Sequence, residues 1–107
     1  MDEQQKVTEN DDNSNKENIY RLRLFVTGAT PNSTRAIINL KEICELHLKG
    51  KYELEIIDVY QQPIIAESEQ IIALPLLIKK SPSPERRLIG DMSDTKKVLI
   101  GLSLAAT

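Results

Sequence analysis

The stretch Arg21-Leu22-Arg23-Leu24-Phe25-Val26-Thr27-Gly28-Ala29-Thr30-Pro31-Asn32-Ser33 decides the fold. From Tyr20 to Thr27 the residues alternate, with Leu22, Leu24 and Val26 on one side and Arg21, Arg23 and Phe25 on the other. That period of two predicts a strand. Pro31-Asn32-Ser33 then supplies a turn, and Asn32 or Ser33 can accept a hydrogen bond from the first free amides of a helix. Behind it Ala36, Ile37, Leu40, Ile43, Cys44, His47 and Leu48 recur at helical spacing, and Gly50 is suited to stop the run. Leu54, Ile56, Ile57 and Val59 predict a second strand. A strand, a helix and a strand joined by short connections make a right-handed βαβ unit with parallel strands.

The second half commits less firmly. Pro63 is suited to the first turn of a helix carrying Ile64, Ile65, Ser68, Ile71 and Ile72, although its isoleucines are poor helix formers. Ala73-Leu74-Pro75-Leu76-Leu77-Ile78 predicts a buried strand entered through a proline, and Ser81-Pro82-Ser83-Pro84 a turn. Arg86 to Ile89 forms a short strand, and Ser93 offers a cap for a last helix using Val98, Leu99 and Leu102. That last helix has a rival. Gly101 interrupts it at a cost of about 1 kcal/mol relative to Ala, and Val98, Ile100, Leu102 and Leu104 would equally line one face of a strand. The order βαβ-αββα is an α/β, thioredoxin-like arrangement, with Pro75 where that fold places a cis proline. A thioredoxin would carry Cys-x-x-Cys in the first turn. Here residues 27–33 contain no sulfur.

The chain has 107 residues, enough for one domain. Residues 1–18 hold six acidic residues against Lys6 and Lys16, with Val7 the sole aliphatic side chain after Met1. Such a segment buries too little apolar surface to offset ordering, which predicts a disordered acidic tail ahead of a domain spanning 19–107. The tail carries −4, and the body, with twelve basic against ten acidic residues, carries +2. This mild balance, without a basic stripe, argues against nucleic acid as a partner. A polar acidic start and the lack of a long apolar run argue against a signal peptide and a membrane span. One solitary cysteine fits a reducing, cytoplasmic setting.

Little catalytic chemistry is on offer. Cys44 sits past the middle of the first helix beside Leu40 and Leu48, the place of a core residue. A vestigial thiol oxidoreductase using Cys44 is the enzymatic alternative. One Cys and one His cannot complete a zinc site, and there is no phosphate-binding glycine motif, so no metal or cofactor is expected. Glu53 with Glu55, and Glu67 with Glu69, are expected on solvated surface. More suggestive are Lys79 and Lys80 at the end of one strand and Arg86 and Arg87 at the start of the next. Antiparallel pairing would gather these four charges on one edge. They either guard the edge against aggregation or face an anionic protein partner.

Gly28-x-Thr30-Pro31-Asn32-Ser33-x-Arg35-Ala36, then Ile57-Asp58-Val59, Pro75-Leu76, Arg86-Arg87-Leu88-Ile89-Gly90-Asp91-Met92-Ser93-Asp94 and Lys97-Val98-Leu99-Ile100-Gly101-Leu102 together resemble the circadian clock protein KaiB family. The likeness runs from about Tyr20 to Leu104. It implies a non-enzymatic protein that binds the ATPase KaiC and modulates its phosphorylation cycle, in circadian or stress-adaptation timing. It also implies two packings, one thioredoxin-like and monomeric, the other rearranged in its second half and assembled as a homo-oligomer. Partner-facing positions carried over are Tyr20, Arg35, Lys79, Arg86 and Arg87, while Gly101 and Ser103 fall at the fold-switch positions. Ser103 stands where the family has an acidic residue, and Gln70 where it has a lysine. A further reading is an adaptor for a signalling histidine kinase, because KaiB resembles the sensor domain of a clock-output kinase. With the switch comes an expectation that Gly101→Ala favours the thioredoxin-like form.

Overall fold

The computed structural model describes residues 19–106, so the predicted tail, residues 1–18, lies outside it. Strand β1 (Tyr20–Val26) leads to helix α1 (Pro31–His47) and strand β2 (Tyr52–Asp58). Then follow α2 (Pro63–Ser68), β3 (Leu76–Ser81), β4 (Arg86–Ile89) and α3 (Thr95–Gly101). The sheet order is β2-β1-β3-β4. β1 and β2 run parallel from Tyr20↔Tyr52 to Val26↔Asp58, while β3 is antiparallel to both β1 and β4. This is the βαβ-αββα arrangement expected, with the Leu74–Pro75 peptide cis.

Strands β1 and β3 are central and covered on both faces, so their alternation splits two apolar sets. Leu22, Leu24, Val26 and Leu77 meet Ala36, Leu40, Ile43 and Cys44 of α1 and Val98 and Leu102 from α3 and its end. Phe25, Ile57, Leu76 and Ile78 point the other way, against Ile65 and Ala66 of α2. Phe25 is wholly buried although its neighbours on that side are arginines. The side that alternation gives to Arg21, Arg23 and Phe25 is therefore buried at its far end, where α2 covers it.

Four local expectations are corrected. The N-cap of α1 is Thr30, whose Oγ1 accepts from the Ser33 amide at 3.2 Å, not Asn32 or Ser33. Pro31 takes the first helical position, where it has no amide to lose, and this puts the cap two or three residues earlier than expected. Helix α2 stops at Ser68, before Ile71 and Ile72, because Gln70 adopts a positive φ of 56° that ends the helical path. The cap of α3 is Asp94, whose carboxylate accepts from the Lys97 amide at 3.1 Å, not Ser93. His47, assigned to the apolar side of α1, is exposed in its last turn.

Between helix and strand, residues 98–101 are helical in this structure. Val98 N donates to Asp94 O at 3.0 Å, and Leu102 N donates to Val98 O at 2.9 Å. Helical spacing buries Val98, Gly101 and Leu102 together against the sheet. Ser103, with φ 63°, turns the chain away. Gly101 is the final helical residue, and its missing side chain makes room: a Cβ there would stand 2.5 Å from Leu88 Cδ1 and 3.0 Å from Leu88 Cγ. α3 thus lies so close to Leu88 of β4 that any side chain at 101 requires Leu88 or the helix to shift.

Candidate partner-binding surface

The first turn, where a redox fold would carry its nucleophile, is closed by hydroxyl groups. Ser33 is buried, and its Oγ accepts from the Thr27 amide at 3.0 Å and from Thr30 Oγ1 at 2.8 Å. Pro75 and Leu74 lie across from Thr27, Thr30, Pro31 and Asn32, leaving a cleft of about 320 Å³. Its lining offers two threonine hydroxyls but no thiol and no titratable side chain. Cys44 is fully buried among apolar neighbours, and burial pushes its thiol up to about 12. A thiol so placed supplies no thiolate at neutral pH, which removes the support for an oxidoreductase using Cys44. Among the described residues there is no cluster of His, Cys, Asp and Glu fit to hold a metal.

Arg35 projects from the second turn of α1 and reaches Asp91 at 3.1 Å and the Asn32 side-chain oxygen. Asn39 Nδ2, one turn further, donates to the Asp91 carbonyl at 2.9 Å. Hydrogen bonds from Ser93, and then from Arg35, hold the Asp91 carboxyl below the usual carboxylate range. This ties the start of α1 to the loop between β4 and α3. Tyr20 is half-buried against the α1 core, away from that corner.

The four cations expected on one edge are divided between two faces. Lys79 stands opposite Arg86 in the β3–β4 register, and Ile78 opposite Arg87. Because side chains alternate, Lys79 and Arg86 face α1 and α3, while Lys80 and Arg87 face α2. Arg86 is exposed, but Lys79 is 1% exposed and its Nζ has no hydrogen-bond partner. Burial, and then the Arg86 charge, lower its pKa from the ordinary lysine value.

Lys80 and Arg87 converge on a residue the sequence reading left on the surface. Glu69, just past α2, has a side chain only 13% exposed. It receives Arg23 at 3.0 Å and Lys80 at 2.9 Å, with Arg87 at 3.6 Å. Arg87 also donates to the Glu69 carbonyl at 2.7 Å. The Lys80 hydrogen bond, foremost, lowers the Glu69 carboxyl below its ordinary range. Glu53 and Glu55, also expected to be solvated, pair across β1–β2 with Arg21 at 2.7 Å and Arg23 at 3.1 Å. The only available sequence signal was Arg23 and Lys80 on strand faces that need an acidic partner. α2 pins its end with charge, yet leaves much apolar surface open: Tyr60, Ile64 and Ile72 are 78%, 80% and 90% exposed. Gln70, where the resemblance has a lysine, is exposed beside them.

The KaiB domain family model matches residues 23–104, from the second ion-paired arginine of β1 to the residue after the Ser103 turn. The chain belongs to the KaiB family. A circadian clock oscillator protein KaiB from Prochlorococcus marinus subsp. pastoris is 56% identical over 85 residues, 79% of either chain. Another from a Picosynechococcus species is 54% identical over 85 residues, 79% of this chain and 82% of its own. Among solved structures, the N-terminal domain of SasA from Synechococcus elongatus superposes with a TM-score of 0.65 at 22% identity, covering 100% of this chain and 95% of its own. The thioredoxin Deadhead from Drosophila melanogaster superposes at 0.67 with 11% identity over 91% of both chains. Both likenesses fix a thioredoxin-like α/β fold. In this chain the first turn of that scaffold carries the hydroxyl groups of Thr27, Thr30 and Ser33, with Pro75 across the cleft.

Proposed function

We propose that this chain is a non-enzymatic clock regulator that docks on a KaiC-like ATPase and modulates its phosphorylation cycle. The family match across the described domain, with more than half of residues identical to clock oscillator proteins, carries the reading. Two features of the surface support it. The cleft at Pro75 is lined by no thiol and no titratable group, and α2 with its flanks exposes Tyr60, Ile64 and Ile72, apolar side chains suited to a protein partner. Arg35 and Arg86 add exposed charge to this docking set, with Tyr20, Lys79 and Arg87 as framework. Docking selects the thioredoxin-like packing. A second, homo-oligomeric packing, in which residues 98–104 extend, competes with it, and affinity scales with the fraction in the competent form.

The test is surface plasmon resonance of the full chain on a purified KaiC-type ATPase, comparing the wild type with Arg86→Ala, Arg87→Ala and Ile64→Asp. Wild-type binding, with each variant weakened at least about tenfold, that is about 1.4 kcal/mol, is the expected result. No wild-type binding in either nucleotide state of the ATPase overturns the reading. Size-exclusion chromatography of the free chain reports the homo-oligomer.

A further inference from the structure

Strand β3 has two unlike halves. Leu76, Leu77 and Ile78 are buried apolar residues in unbroken register with Phe25, Leu24 and Arg23 of β1 on one side and Ile89, Leu88 and Arg87 of β4 on the other. From Lys79 onward the strand changes character. Leu22 stands opposite Lys79 but Arg21 opposite Ser81, so the register shifts and Lys80 is an extra residue with no counterpart on β1. Two buried side-chain polar atoms find no hydrogen-bond partner among the described residues, and these, Lys79 Nζ and Ser81 Oγ, flank that shift. Across β3–β4, Lys79 stands opposite Arg86, and like charges directly opposite weaken an antiparallel pair. The turn beyond adds little. Pro82 and Pro84 have no amide to donate, and among the described residues no backbone hydrogen bond closes residues 82–85.

Each of these features costs free energy in the closed sheet and is relieved on opening. An unpartnered ammonium or hydroxyl regains its hydration once exposed, and the Lys79 and Arg86 charges separate. What holds this end lies on the other face of the sheet. Glu69 takes Lys80 at 2.9 Å and Arg87 at 3.6 Å, and Glu85 stands 3.7 Å from Lys80. Costs on one face are thus set against a single carboxylate clamp on the other.

We propose that the base of the β3–β4 hairpin, residues 79–86, is a built-in release point that opens from β1 and solvates Lys79 while residues 76–78 stay paired, with Glu69 as its latch. Local opening of this kind takes the least stable contacts first. Under the function proposed above, it supplies the step by which the second half leaves the thioredoxin-like packing; the opening itself does not rest on that reading.

Native-state amide hydrogen exchange of the full chain, read residue by residue by NMR at low urea, tests it with no partner present. Amides of Lys79, Lys80 and Ser81 should exchange at least about tenfold faster than those of Leu24, Leu77 and Ile78, with little dependence on urea. Simple fraying of a strand end would give the same, so the variants decide. Lys79→Met should slow exchange at residues 79–81 by the same factor as in the core, because local and global opening both solvate position 79. Glu69→Gln should speed exchange at 79–81. Thr30→Ala, at the distant α1 cap, should speed the core amides and leave 79–81 unchanged. The proposal is overturned if residues 79–81 exchange only through global unfolding, if they follow the core in Thr30→Ala, or if Lys79→Met slows the core and leaves them unmoved. Because no ATPase is present, failure here is distinguishable from failure of the proposed function.

Discussion

Helix propensity alone says that Gly101→Ala should strengthen α3, by up to about 1 kcal/mol. The packing says otherwise. The added Cβ would lie 2.5 Å, 2.8 Å and 3.0 Å from Leu88 Cδ1, Cδ2 and Cγ, where ordinary contact needs about 3.5–4 Å. Either the Leu88 side chain rotates or α3 lifts from β4, and inserting a methyl into a packed site costs about 1–3 kcal/mol. Gly101 is also the last residue of α3, so the propensity gain falls below its mid-helix value. Gly101→Ala should therefore leave this packing unchanged or weaken it by up to about 2 kcal/mol, reversing the sequence-based expectation. Leu88→Ala in the same chain removes the obstacle. On that background Gly101→Ala should become favourable by a few tenths of a kcal/mol up to about 1, giving a coupling of about 1–3 kcal/mol in the double-mutant cycle. Urea unfolding followed by circular dichroism measures all four corners, with two-dimensional NMR confirming that each retains the same packing. A coupling below about 0.5 kcal/mol, with Gly101→Ala stabilising both backgrounds alike, would refute the argument.

Lys79→Met keeps the buried stem of a 1% exposed side chain and removes its unpartnered charge, so it should stabilise the fold by about 1–3 kcal/mol in urea titration. Because the folded-state pKa of Lys79 is lowered, the unfolded chain binds more protons between that value and the ordinary lysine range; wild-type stability should rise with pH through that window, and Lys79→Met should flatten the rise. Glu69→Gln strips the carboxylate from Arg23, Lys80 and Arg87 and should cost about 1–3 kcal/mol by the same assay. The Glu69 pKa is lowered on folding, so its contribution is present above the ordinary carboxylate range and lost as pH falls through the folded value; the variant should lack that part of the acid slope. Thr30→Ala removes the α1 cap and should lower stability by about 1 kcal/mol in thermal unfolding, and a loss below a few tenths would show that Ser33 caps in its place.

The first half was legible because its determinants are local. Period two in β1, helical spacing in α1 and a proline-bearing turn all point the same way within thirty residues, and the parallel pairing follows from connection length. Phe25 was placed with the arginines because alternation assigns a face but not what covers it, and α2 covers only the far end of that face. Glu69 was missed for a related reason. Its partners come from β1, β3 and β4, and no spacing in the sequence brings Arg23, Lys80 and Arg87 to one carboxylate. The four-cation edge failed on parity: Lys79 and Lys80 are adjacent in sequence, and adjacent strand residues must point to opposite faces.

The tie between helix and strand at residues 98–104 was real at the level of sequence, and tertiary contact breaks it. Beyond its Asp94 cap, little local favours α3: it is seven residues long, ends on a glycine and contains three β-branched residues, Thr95, Val98 and Ile100. What favours it is non-local, namely the burial of Val98 and Leu102 with the α1 core and the fit of Gly101 against Leu88. α2 is held in the same manner, six residues long with no fully buried side chain, and anchored by the Glu69 ion cluster. Lys79 works against this arrangement by placing an unpaired ammonium under it. The second half therefore depends on a few long-range contacts opposed by one built-in cost, whereas β1, α1 and β2 follow one another through short connections and the two strands pair along seven residues. Under the function proposed above, that asymmetry places the weaker contacts where a partner selecting between two packings would act.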